Sequence, residues 1–428
     1  MAKRFRPLIL LVAGLTVLTA CAATGDTGTA GPSASGSLIA GGGQPGYRTD
    51  VDELSPLVIT SLAPDPIPVT GTDGKIHVVY ELQVLNASPL PATLVKLETL
   101  QGGPGGKVLS TASAPEISAR TVLLGAPNFG VVAEIPGGRA GILLEDDVYP
   151  TRADVPDRVT HRVSATFRGA RTKEASLSNY YPTQATDIGG EVTTGSGTPA
   201  TIGPPLAGDD WIAGNGCCTF SSHRGVMMPF GGRVNGSERY AIDYQRVDMN
   251  AKPLVDLQAG RVVTYRGDPT KNESYLAWDS PVQSVSDGTV VKVVSDAPDI
   301  APGSLPANVA IGDATGNRVI IDIGNGVFAL FAHLKQGSPT IKAGDKVTRG
   351  QIIGRLGNSG NTTEPHLHFQ LTRSEAPLVG DNVPFEIESF DYVGQFKETG
   401  EFDAASAGPR TSQLPMANSV TSYPRSSQ

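Results

Sequence analysis

The chain holds six histidines, and two of them sit one residue apart in Glu364-Pro365-His366-Leu367-His368-Phe369-Gln370. The apolar residues around them read as a β-strand. Side chains alternate faces along a strand, so His366 and His368 project to the same side. Two imidazoles aimed into one space can share a metal ion, or one can hold the metal while the other moves protons. They can also be two solvent-facing residues of an ordinary strand. A third histidine, His333, ends the apolar segment Phe328-Ala329-Leu330-Phe331-Ala332-His333-Leu334. A carboxylate, Asp243, lies in Arg239-Tyr240-Ala241-Ile242-Asp243-Tyr244, whose pattern predicts a strand with Arg239, Ala241 and Asp243 on one face.

The elements that must position these groups are short strands. With 51 glycines, 33 prolines and 6% aromatic residues in 428, the composition favours a turn-rich, mainly β architecture. A net charge of −8 offers no footprint for nucleic acid, which we exclude as a partner. The length suits two domains with tails. Residues 51–185 carry many short apolar stretches separated by turn residues, and predict an antiparallel β-sandwich module. In its segment Ile76–Val84 alternation places His77 and Glu81 opposite Val78, Tyr80 and Leu82, so His77 reads as solvated; His161, in phase with Val159 and Val163, reads as a core or edge residue. Residues 186–208, rich in Gly, Thr and Pro, read as a linker, 209–395 as the second domain, and 396–428 as a disordered tail.

The N-terminus carries Lys3, Arg4 and Arg6 and then an apolar run from Leu8 to Leu18, too short for a span of about 20 residues but suited to export. It ends Leu18-Thr19-Ala20-Cys21, which resembles the lipobox of bacterial lipoproteins. That resemblance implies a signal peptide over 1–21, lipidation of Cys21, and a membrane-anchored place in the bacterial cell envelope. Residues 22–50 read as a flexible tether. The remaining cysteines, Cys217 and Cys218, are adjacent, and we expect a packing role for them, not a bond to each other.

Several further motifs follow one another along the second domain: Asp287-Gly288-Thr289-Val290, Gly316-Asn317-Arg318-Val319-Ile320-Ile321, Ala332-His333-Leu334, the run from Gly344 to Gly354, and His366-Leu367-His368-Phe369. Their order resembles the lysostaphin/LytM-type zinc metallopeptidases, which cut peptide cross-bridges of peptidoglycan. The resemblance covers roughly Met228 to Leu371. It implies an antiparallel β-sheet domain of the duplicated hybrid motif type, with the site in a groove on the sheet. By position it implies Asp243 and His368 as zinc ligands, and His333 and His366 as the pair that orients water and stabilises the oxyanion.

One position departs from the pattern. Where the family's first ligand histidine would stand, this chain has Arg239, which has no lone pair to offer. Asp243 and His368 alone are too few for tetrahedral zinc. The expectation is that Arg239 pairs with Asp243 and fills the site, leaving a degenerate domain that binds peptidoglycan peptides or regulates a cell-wall hydrolase. The alternative is an active zinc peptidase rescued by His223, in Ser221-Ser222-His223-Arg224-Gly225. The segment from Arg246 to Ser280, with Asp268, Asn272, Tyr275 and Trp278, reads as a loop or lid over the groove.

Overall fold

The computed structural model describes residues 52–63, 65–126, 130–169, 176–256, 261–306 and 309–425, all within one compact unit. The signal segment, Cys21 and the tether lie outside the described residues. Among those described, no helix is long and apolar enough to cross a membrane.

The chain is nearly all β. Ile76–Asn86 is the central strand of the first five-stranded sheet, paired antiparallel with Leu57–Ser61 on one side and Ala140–Tyr149 on the other. A four-stranded sheet, ordered Val108–Ser113, Ala92–Gln101, Arg158–Phe167 and Gln184–Thr193, faces it. Val78, Tyr80, Leu82 and Val84 meet Leu97, Val163 and Val192 in the core between the sheets, as the alternation requires.

The opposite face of Ile76–Asn86 is not wet. Val79 enters the core of the second domain, and His77 and Glu81 are buried. His77 is therefore not the solvated residue expected. Its Nδ1 lies 3.0 Å from Asp146 and its Nε2 3.2 Å from Asp73. Burial opposes its charge, but the two carboxylates outweigh that and raise the imidazole to about 9. His161 is a core residue, within 2.7 Å of the Tyr80 hydroxyl, and burial lowers it to about 4.

The second domain is built on a thirteen-stranded sheet. Its main path runs Ala200–Ile202, Phe385–Phe396, Ser419–Tyr423, Gly208–Gly214, Ile242–Arg246, Leu367–Thr372, Phe328–Leu334, Asn317–Asp322, Gly288–Val294 and Lys346–Val347. Neighbours are antiparallel except the first pair, which is parallel. Phe331, Phe369 and Phe385 interlock in its core.

Two expected irregular segments are ordered. The 186–208 stretch does not link: Gln184–Thr193 is a sandwich strand and Ala200–Ile202 pairs with Phe385–Phe396. Its glycines serve contact instead of flexibility, since a Cβ on Gly189 would stand 2.7 Å from the Ile59 carbonyl oxygen. The tail is not disordered either. Gly408–Gln413 pairs with Phe385–Phe396, and Ser419–Tyr423 lies between that strand and Gly208–Gly214. Leu414, Val420 and Tyr423 are at most 3% exposed. Burying each is worth about 1.5–3 kcal/mol, against a net stability on the order of 5–15 kcal/mol for a domain. A chain ending at Gly400 is therefore expected to lose the cooperative thermal transition and the near-UV circular dichroism of the full protein; an unchanged melting curve would refute the role given to this strand.

Candidate metal centre

The strand carrying Asp243 begins at Ile242, not at Arg239. Residues 237–240 form a turn, with the Ala241 amide donating to the Glu238 carbonyl. The turn rotates Arg239 off the face that alternation would give it. The Arg239 guanidinium does not reach Asp243; Nε donates to both oxygens of Glu81, at 2.9 and 3.1 Å, and Nη2 donates to the same carboxylate. The expected Arg239–Asp243 ion pair is thus replaced by a bidentate pair with the sandwich domain. Glu81 is fully buried, and although burial would raise its carboxyl, Arg239 and Arg224 hold it below the usual range.

The place beside Asp243 is taken by His223. This residue sits on a helical turn, Ser222–Gly225, capped by the Ser221 hydroxyl, which accepts from the Arg224 amide at 3.2 Å. Its neighbour Arg224 is 0% exposed, donates to the carbonyls of Cys218, Tyr80 and Glu145, and approaches Glu81 to 3.6 Å. Contrary to expectation, Cys217 and Cys218 are joined by a disulfide. The Ala417 amide donates to the Cys217 carbonyl at 2.7 Å, which ties this segment to the tail.

Five side chains meet in one cavity of about 450 Å³: His223, Asp243, His333, His366 and His368. His223 Nε2 is 3.2 Å from Asp243 Oδ2, and His368 Nδ1 is 3.0 Å from Asp243 Oδ1. The strand register explains the second contact, because Asp243 and His368 are direct antiparallel partners. His366 Nε2 lies 3.3 Å from Asp243 Oδ1, and the ring centroids of His333 and His366 are 4.7 Å apart.

Each imidazole has one nitrogen engaged away from the cavity. His223 Nδ1 donates to the Ala241 carbonyl at 3.2 Å, His366 Nδ1 to the Glu364 carbonyl at 2.8 Å, and His333 Nδ1 to the Ser359 carbonyl at 2.7 Å. His368 Nε2 donates to Gln370 Oε1 at 3.0 Å, and the Gln370 amide nitrogen donates in turn to the carbonyls of Ser237 and Pro377. These acceptors fix which nitrogen of each ring faces the cavity. Asn215 steadies Asp243 by donating to Oδ2 at 2.8 Å. His333 is held with φ +59°, and its amide donates to the Thr315 carbonyl.

The donor set fits a hydrolytic zinc ion. The ligating atoms of His223, Asp243 and His368 all lie within 4.8 Å of one another, close to what ligand bonds of about 2 Å span. Two imidazoles and one carboxylate with an open fourth position match catalytic zinc chemistry. Burial opposes the charge of His223, but Asp243 raises it to about 9. Asp243 itself is held well below the carboxylate range by His223 and His366 in spite of its burial. Burial, with His366 and His368 close by, pushes His333 well below its ordinary value.

Sequence alone pointed to Asp243, His333, His366 and His368, and the structure gathers all four. It ranked His223 below Arg239 for want of any spacing signal. Gln370 and Asn215 were not singled out at all, although Gln370 is two residues beyond His368 and so on its face. Among the described residues of the insertion 246–280 none lines the cavity, Asp268, Asn272, Tyr275 and Trp278 included. Thr264 instead donates to Glu364, and Asn272 Oδ1 accepts from Asn358, supporting the groove from behind. The lining comes from Leu305, Ile311 and Thr315.

The buried His223, Asp243 and His368 could hold a metal ion, with His333 and His366 in the same cavity. Residues 275–379 match the model of Peptidase family M23, and the chain therefore carries a domain of that family. The matched stretch holds His333, His366 and His368; Asp243 and His223 precede it. Peptidoglycan DD-endopeptidase ShyA of Vibrio cholerae serotype O1 is 46% identical over 63 residues, 15% of this chain and 14% of the relative. ShyC of the same organism, also a peptidoglycan DD-endopeptidase, is 28% identical over 134 residues, 31% and 26% of the two chains. The chain thus spans about a seventh to a quarter of these relatives' length. Among solved structures, the catalytic domain of lysostaphin from Staphylococcus simulans is similar at 19% identity and a TM-score of 0.21, covering 40% of this chain and 84% of that one. The M23 metalloprotease pseudoalterin is similar at 16% identity and a TM-score of 0.26, covering 49% and 98%.

Two outcomes follow from this geometry. Arg239→His is expected to destabilise the fold by about 3–5 kcal/mol, because it leaves Glu81 buried without its main partner, and to leave zinc content unchanged; a rise in zinc affinity measured by competition with a chromogenic chelator would show that position 239 still faces the site. His223→Ala is expected to abolish stoichiometric zinc in elemental analysis. In the wild type, zinc must expel the proton that His223 keeps up to about pH 9. Its affinity should therefore fall about tenfold per pH unit of acidification below that value, checked by titration calorimetry in buffers of different ionisation enthalpy.

Proposed function

We propose that this chain is an active zinc metalloendopeptidase of the bacterial cell envelope that hydrolyses peptide bonds in peptidoglycan. The observation that carries this reading is His223: its Nε2 stands 3.2 Å from Asp243 and supplies the third ligand that Arg239 cannot. The reading as a degenerate binder rested on a missing third ligand and on an expected pair of Arg239 with Asp243, whereas Arg239 is engaged with Glu81. The ShyA and ShyC relatives are peptidoglycan DD-endopeptidases, which supports the substrate class. The Leu18-Thr19-Ala20-Cys21 run supports an envelope location with a lipid anchor at Cys21.

A zinc ion held by His223, Asp243 and His368 would supply Lewis-acid polarisation of the amide carbonyl and a water of lowered pKa. The protein's own groups do the rest. His333, kept neutral by burial, has Nδ1 committed to Ser359 and so offers the Nε2 lone pair as a proton acceptor. His366, with Nδ1 committed to Glu364, aims Nε2 into the same cavity, where as a donor it can stabilise the negative charge that develops on the carbonyl oxygen.

His333→Ala is expected to keep one zinc per chain while lowering the turnover of purified peptidoglycan by about 10²–10⁴-fold, read as release of soluble muropeptides. Loss of zinc in this variant would mean that His333 serves as a ligand. Wild-type protein with stoichiometric zinc that releases nothing from walls of varied cross-bridge would overturn the enzymatic reading.

A further inference from the structure

The face of the sheet that carries the metal centre continues past it. Ala332 is the direct partner of His368, and Ile320, Leu330 and Ala332 form a small apolar cluster separate from the main core. Val319 and Phe331, on the alternate positions, enter the main core on the other side. Arg318 precedes Val319 at a bulge in the register between Asn317 and Val319, and so shares the face of Ile320, Ala332 and His368. It lies two strands from His368, about 10 Å at ordinary strand spacing, or the reach of about three extended residues.

Arg318 is only 7% exposed. Among the described residues its Nη1 donates to the Gly316 carbonyl at 3.0 Å, and it makes no ion pair. Asp313 is near enough to act on it electrostatically, against the depressing effect of burial on its pKa. The guanidinium opens instead into a cavity of about 360 Å³ that also holds Lys292 and Glu375. Both of those side chains are exposed, so their charges are hydrated and screened. This cavity shares Ile311, Thr315 and Leu378 with the metal cavity, and Thr315 is the residue whose carbonyl holds the His333 amide. A largely buried arginine that lines an open cavity beside the proposed peptide-cutting groove is suited to a carboxylate bound bidentately.

We propose that the cavity beside the metal centre is a carboxylate subsite, in which Arg318 selects peptides that carry a free carboxylate about three residues from the bond cut. The proposal rests on the peptidase reading above for the word "cut", but not for the binding. Wall peptides offer such a group either as a side-chain carboxylate or as the chain's own C-terminus, and both have the same chemistry at Arg318.

The test is calorimetric binding of a synthetic peptidoglycan tetrapeptide stem to the His333→Ala protein, which separates binding from cleavage. Three ligands are compared: the free peptide, the peptide amidated only at its C-terminus, and the peptide amidated only at its side-chain carboxylates. One amidated form should bind about ten- to a hundredfold more weakly than the free peptide, and which one identifies the source. Arg318→Met in the same background should erase that difference, since the apolar stem keeps its packing while the charge is lost. Arg318→Lys should retain part of it. Equal binding of all three peptides, no measurable binding of any at millimolar concentration, or discrimination that survives Arg318→Met would each overturn the subsite. Discrimination in binding with no cleavage by the wild type would leave the subsite standing and remove the enzymatic reading. Cleavage without discrimination would do the reverse.

Discussion

A single buried carboxylate, Glu81, organises the centre from outside it. It is contributed by the sandwich domain, is 0% exposed, and faces two arginines of the second domain. An ion taken from water into a protein interior costs several kcal/mol unless its partners are well placed. Here the partners are Arg239, in bidentate contact, and Arg224, at 3.6 Å. One of them would otherwise bring a cation toward Asp243. The other is the residue next to His223. Glu81 thus engages Arg239 away from Asp243 and helps anchor the turn that brings His223 beside it.

This arrangement changes what the sandwich is for. A spacer module would need only to fold. In this chain the face of Ile76–Asn86 opposite the sandwich core is packed against the second domain, with Val79 in its core and Tyr80 and Glu145 lending carbonyls to Arg224. The helical turn Ser222–Gly225 is too short to hold itself together, since one turn fixes several torsions for very few hydrogen bonds. Its position is set by these contacts, by the Ser221 cap and by the Cys217–Cys218 segment pinned to Ala417. The placement of His223 therefore depends on residues before position 150 and after position 400, although the other four groups in the cavity come from the sheet and its adjoining loop.

That distribution accounts for what the sequence could and could not disclose. Strand alternation and register place Asp243 beside His368, and His366 and His333 follow from the same sheet. Such relations repeat every two residues and are legible in a linear string. The partner of Arg239 is not, because it lies 158 residues away in another domain, and no local period marks it. The expected pair of Arg239 with Asp243 failed at one local point: residues 237–240 turn, so the spacing from 239 to 243 is not that of a strand. The glycine- and threonine-rich stretch at 186–208 and the tail misled for a different reason. Composition measures how little apolar surface a segment has to bury, but an edge strand that completes an existing sheet gains backbone hydrogen bonds and a few well-buried side chains such as Leu414 and Val420. His77 shows the same limit from the other side, since polarity predicted exposure where two aspartates made burial tolerable.

Moving a ligand from the sheet to a separately anchored turn also has an electrostatic consequence. Asp243 receives His223 on Oδ2 and His366 and His368 on Oδ1, so the carboxylate is approached on both edges. A ligand on the strand of Asp243 itself would be fixed by backbone geometry alone. His223 is fixed by one carbonyl, Ala241, and by the domain contact behind it. The first arrangement ties metal binding to the local strand; the second ties it to the association of two domains. Loosening the contacts of Arg224 with the sandwich domain would disturb His223 sooner than the sheet, because the sheet keeps its own core of Phe331, Phe369 and Phe385.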